Sequence, residues 1–538
     1  MRFFHRKLAV VLLGATSLAA DAGASYPGNV SPNVAIEQGV INGFVQNNTN
    51  VFLGLPFAQS TAGENRWKAP KPIEAFHGGG FDAGTYGPSC AQVMSGTTIT
   101  AQSEDCLSLN IWTPISDTKA NLPVFVYIYG GAMVTGGSSN AQWQGYNFAR
   151  KDVIYVNFNY RESIYASPNA PELQGESQNF GILDVELALE WVYNNIEAFG
   201  GNKSHIVLGG HSSGAVHVDH YLWTHPQTFL AGAIEMSANA QSGPAYAPAG
   251  VALKQVVEGM LDSGVSLDCT AENYTLDCLR AADMYDFQTS YFNSTSNTWF
   301  APTVDNITRF NNYTDRFVNG QYPKSLPLIV GNSDQEGAIF GYVYSAENKN
   351  FTSWIRTFDA DLAFVSESEL LAAYNKADYT SISSMSGASY GDARFICATD
   401  SLLDLRAAIQ PTWIYRWFGN YSNVLGMPGI GPSHGSEVPF FHGGNECFSQ
   451  LSGVTDAQQR LADYMNDWFV AWIRDPSAGP GWERARPVDG PLAQFGVPRR
   501  EGETVMSTTG EYNGRCQRVY KPNFPNYPVV QNPVLLER

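Results

Sequence analysis

Three copies of a serine motif, Gly-x-Ser-x-Gly, could each supply a nucleophile, and they centre on Ser212, Ser389 and Ser433. The motif serves catalysis when a buried strand enters it and a helix leaves it, because its glycines let strand and helix approach while the serine sits in a strained turn. Around Ser212, residues 206–208 predict such a strand and residues 215–223 predict the helix. Mostly polar residues precede Ser389, and two glycines and a proline interrupt the segment before Ser433. We therefore predict that Ser212 is the nucleophile.

The general base for this serine should be a histidine further along the chain, because such turns belong to enzymes with the chain order serine, acid, histidine. His434 and His442 lie far enough beyond Ser212. His434 stands in a stretch rich in glycine and proline, which is typical of the loops at strand ends that carry catalytic residues. His442 follows an apolar run and is expected to pack there. We predict that His434 is the base.

Two residues are candidates for the acid of the triad, and this reasoning does not choose between them. Residues 326–330 form an apolar run that predicts a buried strand, and both Asp334 and Glu336 follow its end. The end of that strand is where this kind of enzyme places its acid. An acidic pair after a strand is also typical of a capped turn, so the pattern does not choose between them.

Backbone N–H groups are the expected donors for a tetrahedral oxyanion. Residues 124–128 predict another buried strand, which runs into Gly130, Gly131 and Ala132. Small residues at this point would let N–H groups face a substrate oxygen, although a plain glycine turn has the same composition.

The elements that must position these residues indicate an α/β protein. Residues 183–196 have the apolar face of an amphipathic helix, Gly200 and Gly201 end it, and the strand, serine turn and second helix follow. This order is typical of parallel sheets. We predict an α/β-hydrolase fold, with a large, mixed, mostly parallel sheet flanked by helices.

The N-terminus predicts export. Residues 1–24 combine a basic start, an apolar run and small residues before a cleavage site, which is the order of a secretory signal peptide. The apolar run is shorter than the ~20 residues of a membrane span, so no stable membrane anchor is expected. Residues 25–538 are predicted to form a single catalytic domain. The sites where N-glycans are expected are Asn29, Asn47, Asn202, Asn273, Asn293, Asn306, Asn312, Asn350 and Asn420.

The composition of the chain limits the classes of partner that it is expected to bind. The net charge is −18, which argues against a nucleic-acid partner, because binding to phosphates depends on Lys and Arg. Hydrophobic residues make up 44% of the chain and charged residues 15%, so a large core can form. No metal-ligand spacing or phosphate-binding loop is apparent, and the expected partner is a small-molecule substrate.

The chain resembles the type-B carboxylesterase, lipase and cholinesterase family, and in particular its secreted, fungal-type members. The resemblance runs along nearly the whole mature chain. The blocks that carry it are residues 54–58, 66–70, 103–114, 159–161, 199–202 and 300–305, together with those around Ser212, Glu336 and His434.

The resemblance implies roles for individual residues. Ser212 matches the nucleophile, Glu336 rather than Asp334 matches the acid, and His434 matches the base. Gly131, Ala132 and Ser213 match the oxyanion-hole donors, and Ser237 matches a second serine near the triad. The implied disulfides are Cys90–Cys106, Cys269–Cys278 and, as in the relatives that have a third, Cys397–Cys516, which leaves Cys447 free.

The resemblance also implies the reaction, which is hydrolysis of carboxylic esters through an acyl-enzyme, without cofactor or metal. In lipase relatives the loop closed by the first disulfide is a long lid. Here residues 91–105 make only 15 residues, mostly small and polar around 92–100, which favours small to medium soluble esters over long-chain triglycerides. The alternatives are a lipase or sterol esterase, an acyltransferase, thioesterase or amidase with the same triad, and a non-catalytic adhesion protein, which would typically lack triad residues.

The chain departs from the family's pattern near the site. His211 stands where glutamate is common, Ser213 where alanine is common, and Met133 where an aromatic residue is common. Glu162 and Ser163 replace a Val-Gly pair. These changes are expected to reshape the substrate pocket and to leave the triad intact.

Overall fold

The computed structural model describes residues 31–92, 101–115, 120–242, 250–293, 300–343, 350–352, 365–427 and 429–521. The predicted signal peptide, the Asn29 glycosylation site and residues 93–100 of the predicted short loop lie outside the described residues. The chain forms two compact units. Unit 1 comprises Met1–Val207 and Tyr246–Arg309, and unit 2 comprises Leu208–Ala245 and Phe310–Arg538.

An eleven-stranded mixed sheet organises the fold, and this confirms the predicted α/β-hydrolase class. The strands are β1 (Asn33–Ile36), β2 (Gly39–Asn42), β3 (Phe44–Gln46), β4 (Thr49–Pro56), β5 (Gly80–Asp82), β6 (Ser89–Cys90), β7 (Gln102–Ser103), β8 (Ser108–Pro114), β9 (Leu122–Ile128), β10 (Ile154–Phe158), β11 (Gly201–His211), β12 (Leu230–Met236), β13 (Leu328–Ser333), β14 (Thr412–Trp417), β15 (Pro491–Phe495) and β16 (Val505–Thr508). The strand order of the large sheet is β16-β15-β14-β13-β12-β11-β9-β10-β8-β4-β3. The strands β12 to β15 pair in parallel, as do β9 and β10, whereas β3, β4, β8 and β10 pair antiparallel in succession, as do β15 and β16.

Unit 1 contains strands β1 to β10 and several helices. The helices are Tyr146–Arg150, Ser163–Ala166, Phe180–Asn195, Val251–Asp262, Leu276–Arg280 and Met284–Asn293. Strand β10 is buried along its whole length, as expected for an apolar strand covered on both faces. The helix Phe180–Asn195 begins three residues before the predicted start, continues as a 3₁₀ turn, and ends at Gly200, whose φ of 87° suits glycine.

Unit 2 contains the serine turn and the strands that follow it. Its helices are Ser213–Thr224, Tyr313–Val318, Ala338–Val343, Glu367–Ala373, Ile382–Gly391, Cys397–Arg406, Val438–Phe441 and Asp456–Arg474. Strand β13 begins two residues later than the predicted strand and extends to Ser333. Among the helices that the structure describes, none combines the length and apolar character needed to cross a bilayer.

Three disulfides join Cys90 to Cys106, Cys269 to Cys278, and Cys397 to Cys516, which are the pairs that the resemblance implies. The remaining cysteine, Cys447, is buried and takes part in none of these three disulfides. Because the third bridge spans 119 positions of the chain, it ties together parts of unit 2 that are distant in sequence.

Candidate active site

Ser212 stands in a sharp turn between a buried strand and a helix. Strand β11 ends at His211, and the helix Ser213–Thr224 begins directly after Ser212. The backbone of Ser212 has φ 57° and ψ −125°, a strained conformation for a residue with a side chain. A Cβ atom at Gly210 would lie 2.5 Å from the carbonyl carbon of Gly214, so glycine is required for strand and helix to approach this closely. The local geometry is therefore that of a nucleophile elbow.

In the other two copies of the motif, the serine hydroxyl makes hydrogen bonds to other parts of the fold. Ser389 lies within the helix Ile382–Gly391, and its hydroxyl is 3.0 Å from the hydroxyl of Tyr520. Ser433 lies in a loop, where its buried Oγ accepts the N–H of Ile339 at 2.8 Å. Neither serine has the strand before it and the helix after it that an elbow needs.

Three side chains of unit 2 form a continuous hydrogen-bonded chain. The Nε2 atom of His434 lies 2.8 Å from Oγ of Ser212, and its Nδ1 atom lies 2.6 Å from Oε2 of Glu336. Strand β13 carries Glu336 three residues past its end. His434 occupies the loop between β14 and the helix Val438–Phe441.

The turn after β13 places the two candidate acids in different environments. Glu336 is 1% exposed, and its Oε1 accepts the N–H of Ser333 at 2.7 Å and the amide of Asn332 at 3.3 Å. The side chain of Asp334 is 23% exposed and lies 3.9 Å from the guanidinium of Arg416. The structure thus brings Glu336, and not Asp334, to the imidazole of His434.

The two candidate histidines also have different hydrogen-bond partners. His442 follows the last turn of the helix Val438–Phe441, and its Nδ1 atom lies 2.9 Å from the carbonyl oxygen of Val438. His442 is fully buried and packs edge-to-face against Phe441. It therefore packs as expected, away from the hydrogen-bonded chain.

Electrostatics suits His434 to act as a base. Burial lowers its pKa from the ordinary value of about 6.5, because the charged imidazolium would lose its hydration. Burial also raises the pKa of Glu336, while the donors from Ser333 and Asn332 favour its charged form. With Nδ1–H donating to Glu336, the lone pair on Nε2 faces the hydroxyl of Ser212, so this arrangement can remove the hydroxyl proton.

The structure adds residues to this site that the sequence reasoning did not single out. Glu437 is buried and accepts hydrogen bonds from Ser237 Oγ at 3.1 Å and from Ser333 Oγ at 2.9 Å. The ring of Phe395 packs 4.3 Å from the ring of His434. Ser237 thus contacts Glu437, which stands three residues after His434 in the chain. That short spacing is the one sequence signal that could have drawn attention to Glu437, whereas Phe395 carries none.

The loop after β9, in unit 1, has an unusual backbone. Ala132 and Met133 have φ values of 60° and 61°, which are uncommon for residues with side chains. A Cβ atom at Gly131 would lie 1.5 Å from the carbonyl oxygen of Thr135, so only glycine fits there. Ser213, the third predicted donor, is the first residue of the helix after Ser212. Strained backbone of this kind is concentrated at functional sites.

Comparison with known proteins shows which protein family the chain matches. The carboxylesterase family model matches residues 30–508. Fumonisin B1 esterase of Sphingopyxis macrogoltabida is 28% identical, and the match covers 91% of each chain. Secreted lipase 5 of Gibberella zeae is 28% identical over 88% of this chain and 92% of that protein. The solved structure of PNB esterase has a TM-score of 0.73 at 22% identity, over 90% of this chain and 99% of that one, which shows a shared fold.

These matches confirm the resemblance to carboxylesterases that the sequence motifs indicated. They run over nearly the whole of this chain and of the relatives, so the likeness extends from the first strands of the sheet to the last. This protein therefore belongs to the carboxylesterase family and is a serine carboxylic ester hydrolase.

Proposed function

We propose that Ser212, His434 and Glu336 are the catalytic triad with which this protein hydrolyses carboxylic esters. The observation that carries the proposal is the unbroken chain of hydrogen bonds from Ser212 Oγ through the His434 ring to Glu336, with the serine in a strained elbow. Each group has the partner that its role requires.

In the first half of the reaction, Ser212 Oγ attacks the ester carbonyl carbon while Nε2 of His434 takes the hydroxyl proton. The carbonyl oxygen becomes an oxyanion, for which the backbone N–H groups of Gly131, Ala132 and Ser213 are the proposed donors. The imidazolium then gives its proton to the leaving alkoxide, and the carbon–oxygen bond to the alcohol breaks. Glu336 holds the ring orientation and stabilises the imidazolium.

In the second half, water attacks the acyl-enzyme. His434 removes a proton from the water, a second oxyanion forms, and the bond to Ser212 Oγ breaks as the proton returns to the serine. The products are the carboxylic acid and the free enzyme. The same triad could pass the acyl group to another acceptor, so products should be analysed with a competing alcohol present.

For the substrate, we propose small to medium soluble esters. The support is the length of residues 91–105, since a lid needs many residues to bury an apolar inner face. A lipase is the second candidate, because a relative 28% identical to this chain is named Secreted lipase 5.

We further propose that the protein is secreted and N-glycosylated. Three disulfides suit an oxidising compartment. Several predicted glycan acceptors are exposed, namely Asn47, Asn273, Asn306, Asn312, Asn350 and Asn420. Expression in a secreting eukaryotic host should give cleavage of residues 1–24 and a loss of mass on enzymatic deglycosylation. A full-length intracellular protein without glycans would contradict this.

The nucleophile can be tested directly. The substitution Ser212→Ala should lower kcat by ~10⁴–10⁶-fold, as loss of a triad nucleophile does, and leave circular dichroism unchanged. Ser389→Ala is the matched control, and its kcat should stay near that of the unmodified protein. An organophosphate should label Ser212, as read by peptide mass spectrometry. A label on Ser389 or Ser433 would show that the assignment is wrong.

A further inference from the structure

A second buried imidazole lies against the catalytic one. His211 is the last residue of β11, directly before Ser212, and it is 7% exposed. Its ring centroid is 4.6 Å from that of His434, with 43° between the ring planes. Gly435 lies beside this ring, and a Cβ atom there would meet Cε1 of His211 at 3.4 Å, an ordinary van der Waals distance. The proposed triad does not use this imidazole.

His211 also faces a buried carboxyl group. Its Nε2 atom lies 3.7 Å from Oε1 of Glu437, which is too long for a hydrogen bond, and Nε2 has no hydrogen-bond partner among the described residues. Ser333 links the two carboxyl groups, because its hydroxyl donates to Glu437 and its N–H donates to Glu336. The pair His434–Glu336, which contacts Ser212, therefore lies next to a second pair, His211–Glu437.

The charge around His211 comes from groups on several elements. These groups are Glu437 at the start of the helix Val438–Phe441, His442 at its end, His434 in the preceding loop, Glu336 after β13, and Arg416 on β14, which acts on Glu336. Burial lowers the pKa of His211 well below its ordinary value, and the neighbouring His434 lowers it further, since two adjacent imidazolium ions would repel. Burial and the nearby Glu336 raise the pKa of Glu437 to about 8. At neutral pH both members of this second pair are held largely uncharged.

Resting on the proposed triad, we propose that His211 is a positioning residue whose uncharged form is required for His434 to accept the proton of Ser212. A proton from solvent that binds Nε2 of His211 would place a positive charge beside His434. The imidazolium that forms on His434 during catalysis would then be destabilised. Because the two imidazolium ions would repel, a single proton on either ring should be enough to stop the reaction, so His211 should contribute to the loss of activity in acid.

The test is the pH dependence of kcat/KM for the full chain with p-nitrophenyl acetate. As the pH falls below neutral, kcat/KM should decline, and His211→Gln should move the midpoint of that decline to lower pH, because one of the two rings whose protonation stops the reaction is then absent. The matched control is His217→Gln, because His217 is also buried, on the next helix, and this variant should keep the midpoint of the unmodified protein. An unchanged midpoint in a well-folded His211→Gln, or an equal shift in His217→Gln, would overturn the proposal.

A second measurement avoids both turnover and the His211 variant. In Ser212→Ala protein, the His211 and His434 rings can be identified by NMR from the contact between them, and the His211 ring should titrate over the pH range in which activity is lost. Titration of the His434 ring alone would overturn the proposal. Failure of the triad itself would be seen separately, as hydrolysis that persists in Ser212→Ala. Organophosphate titration after return to pH 7 checks that acid has not destroyed the sites.

Discussion

Glu336 and Asp334 are two positions apart and have different surroundings. Glu336 is buried against His434, whereas Asp334 is partly exposed beside Arg416. We expect Glu336→Gln to reduce kcat about 10⁴-fold, because the neutral amide cannot stabilise the imidazolium and favours the wrong ring tautomer. The matched variant Asp334→Asn should keep kcat within a few fold. Steady-state kinetics on both would decide, and a larger loss in Asp334→Asn would contradict the assignment.

His434 and His442 offer a second matched pair at this scale. His434→Gln should lower kcat by ~10⁴–10⁶-fold, since the base of a triad acts as a unit with its nucleophile. His442→Gln should be mild, because a glutamine amide can still donate to the carbonyl oxygen of Val438 that His442 contacts. Kinetics with thermal unfolding as a control would separate catalysis from stability. Loss of activity in a well-folded His442→Gln, with His434→Gln spared, would mean that the base is His442.

Of the three disulfides, Cys397–Cys516 is expected to stabilise the folded protein most. It joins the helix Cys397–Arg406 to the turn that begins at Cys516, and both sulfurs are buried. Cross-linking residues 119 positions apart restricts the unfolded chain by about 5 kcal/mol in the chain-entropy model, against about 3 kcal/mol for the 9 positions between Cys269 and Cys278. Replacing each pair by alanine should lower the urea midpoint more for Cys397–Cys516. The opposite order would show that packing, not loop length, determines the effect.

For the whole molecule, the length of residues 91–105 bears on how substrate reaches the site. If the short loop within residues 91–105 cannot form a lid, the site is accessible without an interface. The rate with a short-chain triglyceride should then saturate smoothly below its solubility limit. The control is a soluble p-nitrophenyl ester measured in the same buffer with and without emulsified lipid. A sharp rise in triglyceride hydrolysis once droplets appear would mean that the protein is a lipase.

Patterns in the sequence were enough for the features that neighbouring residues determine. The apolar run before Ser212, the glycines beside it and the helix after it predict the elbow, because close packing of strand on helix restricts these positions to a few residue types. Helix Phe180–Asn195 and strand β9 followed from periodicity and apolar runs, with ends displaced by two or three residues. Chain order and local composition also singled out His434.

Tertiary structure decided what depends on distant segments. That Glu336, and not Asp334, contacts His434 could not come from composition, because it depends on how the turn after β13 directs each side chain. Only the motif resemblance favours Glu336 from the sequence. Ser212 and His434 meet across 222 positions, and His434 and Glu336 across 98. The pairing of His211 with Glu437 has no local signature at all. Such contacts arise when the sheet packs with its helices, since burial brings side chains together irrespective of their spacing in the chain.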